Sequence, residues 1–168
     1  MSGIQDFYAA AQEREFARDF QFRVVTLGPY DEKDLLYIRT AVLPGKSIQN
    51  QQVPYMGLDF NVPGSVKYDG SSSWQVTFLC DEGLNIRNKA EGWVKEIFND
   101  ETSSGKYGVP VEVATMQLLG KNMEAIRTYN FYGIYLQNIG DLNYDKKGTG
   151  VPLEFQATFA YQFWRLAP

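Results

Sequence analysis

The stretch Trp74-Gln75-Val76-Thr77-Phe78-Leu79-Cys80-Asp81-Glu82 decides the fold. Trp74, Val76, Phe78 and Cys80 lie on one side of a period-two pattern, with Gln75 and Thr77 on the other. That is the signature of a half-buried strand, and it takes the thiol inward as a small hydrophobe. Asp81 then stands where a helix N-cap belongs, with Glu82 in the first turn at the positive end of the helix dipole. Ile86, Ala90, Trp93, Val94 and Ile97 recur at helical spacing, which predicts an amphipathic helix over about residues 82–98. It is the one strong helical signal in the chain, and a polar loop over residues 99–108 closes it.

Outward from this pair the pattern is β in both directions. Phe20, Phe22 and Val24 alternate with Gln21 and Arg23, Gly28-Pro29-Tyr30-Asp31 turns the chain, and a second strand is expected over residues 35–42. Beyond the helix, Val109, Val111 and Val113 alternate with Glu112, and Tyr129, Phe131, Gly133 and Tyr135 alternate with Asn130 and Tyr132. A polar turn with Gly140, Asp141, Asp145, Gly148 and Gly150 leads to a last strand. There Leu153, Phe155, Ala157, Phe159, Tyr161 and Phe163 oppose Glu154, Gln156, Thr158 and Gln162. Strands in succession around one helix predict a mainly β chain: an antiparallel β-sandwich or barrel with one flanking helix. Residues 1–19 carry helix formers but only a thin apolar stripe through Phe7, Ala10, Ala11, Arg14 and Ala17. They read as a short helix or an arm beside a single domain over 20–168.

Residues 43–70 break the pattern. Pro44-Gly45, Gln49-Asn50-Gln51-Gln52, Pro54, Gly57, Pro63-Gly64 and Asp69-Gly70 fill them with breakers and amides, with at most a short edge strand over 56–62. A loop this long is seldom kept without use; one too rich in breakers to build core reads as an arm reaching a neighbouring copy, an ordinary disordered excursion being the alternative.

Composition removes whole classes of function. The 168 residues suit one core, and 44% hydrophobic with 21% charged residues is ordinary for a globular chain. A net charge of −4 disfavours phosphate-neutralising contact with nucleic acid. With no histidine and only Cys80, histidine acid/base chemistry, Cys/His zinc sites and internal disulfides are excluded. The amino terminus lacks the apolar core of a secretory signal, and runs such as Leu35-Leu36-Tyr37-Ile38 fall far short of the roughly 20 residues of a membrane-spanning helix. An aromatic content of 15% favours strands and interfaces.

Three motifs fail on inspection. Residues 40–47 imitate a phosphate loop, but Thr40 replaces the first glycine and Pro54 follows too soon for a helix. Asp141, Asn143 and Asp145 start a calcium-loop spacing that Lys146 and Pro152 interrupt, which leaves a turn with Asx-type hydrogen bonds. Ser71, Ser72 and Ser73 have no base beside them. No catalytic residue, metal site or cofactor is expected, and the chain does not read as an enzyme.

The order of several short motifs carries a resemblance. Leu43-Pro44-Gly45, Val53-Pro54-Tyr55, Val62-Pro63-Gly64, Trp74-Gln75-Val76-Thr77-Phe78 and Asp81-Glu82 with Ile86-Arg87 and Trp93 come first. Phe131-Tyr132-Gly133-Ile134-Tyr135, Asn138-Ile139, Leu142-Asn143-Tyr144 and Phe155-Gln156-Ala157-Thr158-Phe159-Ala160-Tyr161 follow. Over about residues 20–164 the chain resembles the tail tube proteins of contractile-tailed bacteriophages of the T-even type. They are related to the inner tubes of type VI secretion systems, R-type tailocins and extracellular contractile injection systems. The resemblance implies a β-sandwich or barrel with one flanking helix, homohexameric rings, and rings stacked into a virion tail tube inside a contractile sheath. Genome ejection would run through the lumen. Implied partners are further copies of the chain, the sheath, the baseplate and tube-terminator proteins, and genomic DNA passing without specific binding, with assembly in the bacterial host cytoplasm. A tube of a non-phage injection system or tailocin, and a monomeric β-sandwich that binds a ligand, are the alternatives.

On this reading the contact between subunits or rings falls on the 43–70 loop, at Leu43, Pro44, Gly45, Gln49, Asn50, Gln51, Gln52, Val53, Pro54, Tyr55, Pro63 and Gly64. Conduction of a polyanion needs a wall without a basic ladder. Polar strand faces nominate Asp59, Glu112 and Glu154, with Gln156 and Thr158, as lumen wall, an outer position facing the sheath being the alternative for each. The pattern over residues 153–163 is also read as a strand whose edge lacks protection and is open to pairing with a neighbour.

Overall fold

The computed structural model describes residues 3–168. In chain order the elements are α1 (Gly3–Glu13), β1 (Phe22–Thr26), α2 (Glu32–Leu35), β2 (Ile38–Ala41), β3 (Ser47–Tyr55), β4 (Leu58–Lys67), β5 (Trp74–Leu79), α3 (Asn85–Ile97), β6 (Phe98–Asn99), β7 (Ser104–Gly105), β8 (Val113–Leu119), β9 (Ala125–Tyr132), β10 (Tyr135–Ile139), β11 (Glu154–Ala160) and β12 (Phe163–Leu166). They form a sandwich, not a closed barrel. One antiparallel sheet has the order β1-β8-β9-β12 and the other β10-β11-β5-β2; β3-β4 and β6-β7 are separate two-stranded ribbons.

Alternation on β5 and β11 builds the core. Trp74, Val76 and Phe78 pair in register with Phe159, Ala157 and Phe155, all inward and all buried. Trp74 stacks on Phe131 of the opposite sheet with centroids 4.6 Å apart, and Phe78 stacks on Phe155 at 5.4 Å. Each aromatic removes on the order of 150–250 Å² from water, so this cluster dominates the burial that holds the sheets together.

The predicted helix covers the rest of that inner face through Ile86, Ala90 and Trp93, the last tilted against Phe159 at 5.6 Å. It starts at residue 85, not 82. Glu82 and Gly83 turn first, with the Leu84 N–H donating to the Asp81 carbonyl at 3.1 Å. The N-cap position thus falls to Leu84 (φ +52°) and not to Asp81, whose Oδ1 instead accepts from the Asn85 N–H at 2.8 Å. Val94 is partly exposed. Cys80 is only half-buried against the core, where burial pushes its thiol pKa up. Gly28 has φ +52°, and a Cβ there would meet the Trp93 ring at 2.5 Å, so glycine is required.

Several strand expectations change. The first strand begins at Phe22, and Phe20 lies exposed in the turn before it. In place of at most a short edge strand over 56–62, residues 47–67 form two paired strands. Within residues 35–42 the strand covers only 38–41. Asp31 and Asp34 form a capping box that winds residues 32–35 into a helical turn, with Lys89 of α3 ion-paired to both carboxylates. Backbone N–H donation from Asp34 holds the Asp31 carboxyl below its usual pKa, and the hydrogen bond with Asp34 raises that of Lys89. Val109 and Val111 are exposed in an irregular segment that reaches β8 only at Val113, because Pro110 has no N–H for a ladder. Tyr129 and Tyr135 sit in different sheets, since Gly133 with φ +68° turns the chain between β9 and β10. The strand expected over 153–163 divides at Tyr161 and Gln162 into β11 and β12, again in different sheets. β11 is therefore an interior strand paired on both sides, and the sheet edges are β1, β12, β10 and β2.

Among the described residues no helix is long and apolar enough to cross a membrane, and no group of three or more His, Cys, Asp or Glu is placed to hold a metal ion. The turn before β11 has the Asx hydrogen bond expected of Asp145, which accepts from the Lys147 N–H at 2.9 Å.

Candidate assembly surfaces

The breaker-rich stretch forms an ordered hairpin. β3 and β4 pair from Ser47↔Lys67 to Tyr55↔Leu58, with a register shift between Ile48 and Asn50. Met56 (φ +50°) and Gly57 (φ +81°) make the two-residue turn, the double positive φ that matches the twist of a hairpin. Pro54 and Pro63 are tolerated because each strand of a two-stranded ribbon keeps one open edge that needs no N–H.

Nine residues at about 3.3 Å each make an arm about 30 Å long. Cross-strand partners share a face, so Gln51 with Val62, Val53 with Phe60 and Tyr55 with Leu58 define one side. Asn50, Gln52, Pro54, Asp59, Asn61 and Pro63 define the other, where Asn50 Nδ2 donates to Asn61 Oδ1 at 2.9 Å. Every one of the five apolar side chains on the first side is exposed, from Val62 at 43% to Tyr55 at 66%. A contiguous apolar face left uncovered is the usual mark of a contact surface.

A second surface is the outward face of the β10-β11-β5-β2 sheet. Glu154, Gln156 and Thr158 share it with Thr77 and Gln75 of β5 and Thr40 of β2. Gln156 Nε2 donates to Gln75 Oε1 at 2.9 Å, and Glu154 is ion-paired to Arg39. Leu79, the cross-strand partner of Glu154, shares the face; its polar side chains named here are amides and hydroxyls, and the Arg39 guanidinium is neutralised by Glu154.

Two further apolar areas are open. α1 buries no residue and presents Ile4, Phe7 and Tyr8 to solvent, with Phe7 touching Phe16 at 6.1 Å and Glu15 paired to Lys121 at 3.2 Å. Val109 and Val111 border a groove of about 530 Å³ floored by Trp93, Ile97 and Tyr135.

The nominated loop residues Gln49, Asn50, Gln51, Gln52, Val53, Pro54, Tyr55, Pro63 and Gly64 all lie on the arm, while Leu43, Pro44 and Gly45 precede it. The nominated wall residues do not come together. Glu154, Gln156 and Thr158 share the sheet face, Asp59 sits next to the arm's turn, and Glu112 lies in the irregular segment where its carbonyl accepts from the Ile134 N–H at 3.0 Å. Leu58, Phe60 and Val62 complete the arm's apolar face, and their own period-two spacing either side of Met56-Gly57 was the signal for it.

Comparison with known proteins gives one family. The sequence pattern of the phage tail tube proteins matches residues 15–167. The tail tube protein gp19 of Enterobacteria phage T4 is 23% identical over 166 residues, covering 96% of this chain and 98% of that one. Among solved structures, the fold is similar to a chain of the PVC sheath–tube complex, an extracellular contractile injection system in the extended state. The TM-score is 0.63 at 13% identity over 99% of this chain and 98% of that one. The tube-terminating cap of the anti-feeding prophage gives 0.65 at 13% identity over 92% of each. The match covers both sheets, the arm and α3, and the chain belongs to the phage tail tube protein family.

Proposed function

We propose that this chain is the structural subunit of a contractile tail's inner tube: six copies close into a ring, and rings stack through the hairpin arm. The observation that carries the reading is the arm's apolar face, exposed along its length on a sandwich whose outermost strands each keep a free edge. Edge pairing around a ring would satisfy those strands, and seating the arm on another copy would remove its apolar face from water. Residues 20–168 act as one tube domain, with α1 and the segment from it to residue 19 beside it.

The similarity to a sheath–tube complex and to a tube-terminating cap supports sheath and terminator as partners, with the baseplate at the other end. The role is mechanical, not enzymatic: the tube conducts the genome out of the virion, and its subunits are made and assembled in the host cytoplasm. The outward face of the β10-β11-β5-β2 sheet is the lumen wall, with Glu154, Gln156 and Thr158 on it. Asp59 goes with the arm and Glu112 with the groove.

Sedimentation and negative-stain microscopy of the purified full chain test the reading. Rings or open-ended tubes are expected. A stable monomer of 19.1 kDa at high concentration refutes it.

A further inference from the structure

Both ends of the arm leave the sandwich against a single strand, β12. Lys46, immediately before β3, holds its ammonium 4.6 Å from the centre of the Trp164 ring. Tyr68, immediately after β4, meets the same ring edge-on at 6.1 Å, and its hydroxyl accepts a 2.5 Å hydrogen bond from the Arg165 guanidinium. Behind them Tyr129 of β9, a buried residue, holds Trp164 edge-on at 5.5 Å.

The arm's strands pair only with each other, and a two-stranded ribbon twists freely when no third strand fixes it. Its direction is therefore set at its base. For an arm of about 30 Å, a tilt of roughly 20° moves the tip about 10 Å, enough to unseat an apolar face from its partner. We infer that Trp164 and Arg165 are positioning residues that aim the arm at the neighbouring copy. The inference rests on the proposed role of the arm in stacking. The indole N–H of Trp164 is buried and makes no hydrogen bond, so the ring acts through its shape and face, and phenylalanine can stand in for it.

The test compares Trp164→Ala and Trp164→Phe in the full chain, reading the distribution between rings and tubes together with hydrogen exchange of the arm and of β5 and β11. Trp164→Ala is expected to raise exchange in the arm about tenfold, leave β5 and β11 unchanged and shift tubes to rings; Trp164→Phe restores tubes. Should Trp164→Ala fail to fold, the double variant Lys46→Met with Tyr68→Phe removes the cation and the phenol from the clamp while sparing the core, and the same shift is expected. Removal of Gln49, Asn50, Gln51 and Gln52 serves as the control. If that deletion abolishes stacking while the clamp variants stack like the parent, the inference is overturned and the arm's role stands. If the deletion also stacks like the parent, the arm's role itself is wrong.

Discussion

Phe60→Ala removes the ring at the centre of the arm's apolar face, paired across the ribbon with Val53. Phe60 is 50% exposed in the isolated subunit, so of a ring that offers about 200 Å², roughly 100 Å² is still in water. At about 25 cal/mol per Å² its burial against another copy is worth about 2.5 kcal/mol per contact, or close to a hundredfold in the stacking constant. Inside the subunit the variant loses one cross-strand pair, roughly 0.2–1 kcal/mol, in a ribbon that contributes nothing to the core. The critical concentration for tube formation, followed by light scattering and pelleting, should rise by one to two orders of magnitude while circular dichroism and the melting temperature of the subunit barely move. An unchanged critical concentration with an intact fold refutes the assignment of this face to stacking. A large loss of subunit stability refutes the claim that the arm stands clear of the core.

Three other outcomes are expected. Gly28→Ala forces a side chain into positive φ and against Trp93, so about 3 kcal/mol of stability should be lost, roughly 10 °C in thermal melting of a chain this size. Tyr30 donates to the Ile86 carbonyl at 3.2 Å, and burial, reinforced by Asp34, raises its pKa well above the ordinary phenol value. The folded state thus binds the phenolic proton more tightly than the unfolded chain. The associated stability is complete below about pH 10 and declines as pH rises beyond it, a decline that denaturant melts of Tyr30→Phe should show reduced. Glu154→Gln frees the Arg39 guanidinium on the sheet face; assembled tubes of this variant should retain short duplex DNA at low salt and release it as salt rises, whereas parent tubes retain none.

Much of the sandwich was legible because its core strands keep strict alternation. Trp74, Val76 and Phe78, and Phe155, Ala157 and Phe159, read as inward in the sequence and are buried in the structure. α3 was equally plain from Ile86, Ala90 and Trp93. Less could be read where one residue changes the partner sheet. Gly133 ends one strand and begins another, and the inward set changes phase there, from Tyr129 and Phe131 to Ile134 and Leu136; the aromatic alternation running on to the half-buried Tyr135 hid the break. The arm was hidden for a different reason. Its two prolines and four consecutive polar amides argue against a strand in a sheet with two paired neighbours, and the argument fails only because a ribbon leaves half its N–H groups unpaired. The base of the arm gave no local signal at all, since Lys46, Tyr68 and Trp164 are brought together by topology across more than a hundred residues of sequence.

The placement of charge also changes how a lumen would work. A net charge of −4 per copy suggests at first a wall that repels phosphate over a distance. At physiological salt, however, the screening length is about 8 Å, so charge on the outside of a ring or on the arm scarcely reaches DNA in the channel. Asp59 and Glu112, both off the sheet face, then matter little to passage. What DNA would meet is the chemistry of the wall within a few ångströms: Gln75, Gln156, Thr77 and Thr158, whose dipoles exchange hydrogen bonds with water, and an arginine already satisfied by a carboxylate. A phosphate passing such a face displaces no counterion for a protein cation, so contact gives no salt-dependent grip and passage meets no ladder of bound states. Slipperiness on this account comes from local neutrality, and the Arg39–Glu154 pair is its most sensitive point, because breaking one ion pair per copy would place a ring of unpaired guanidinium groups on the path.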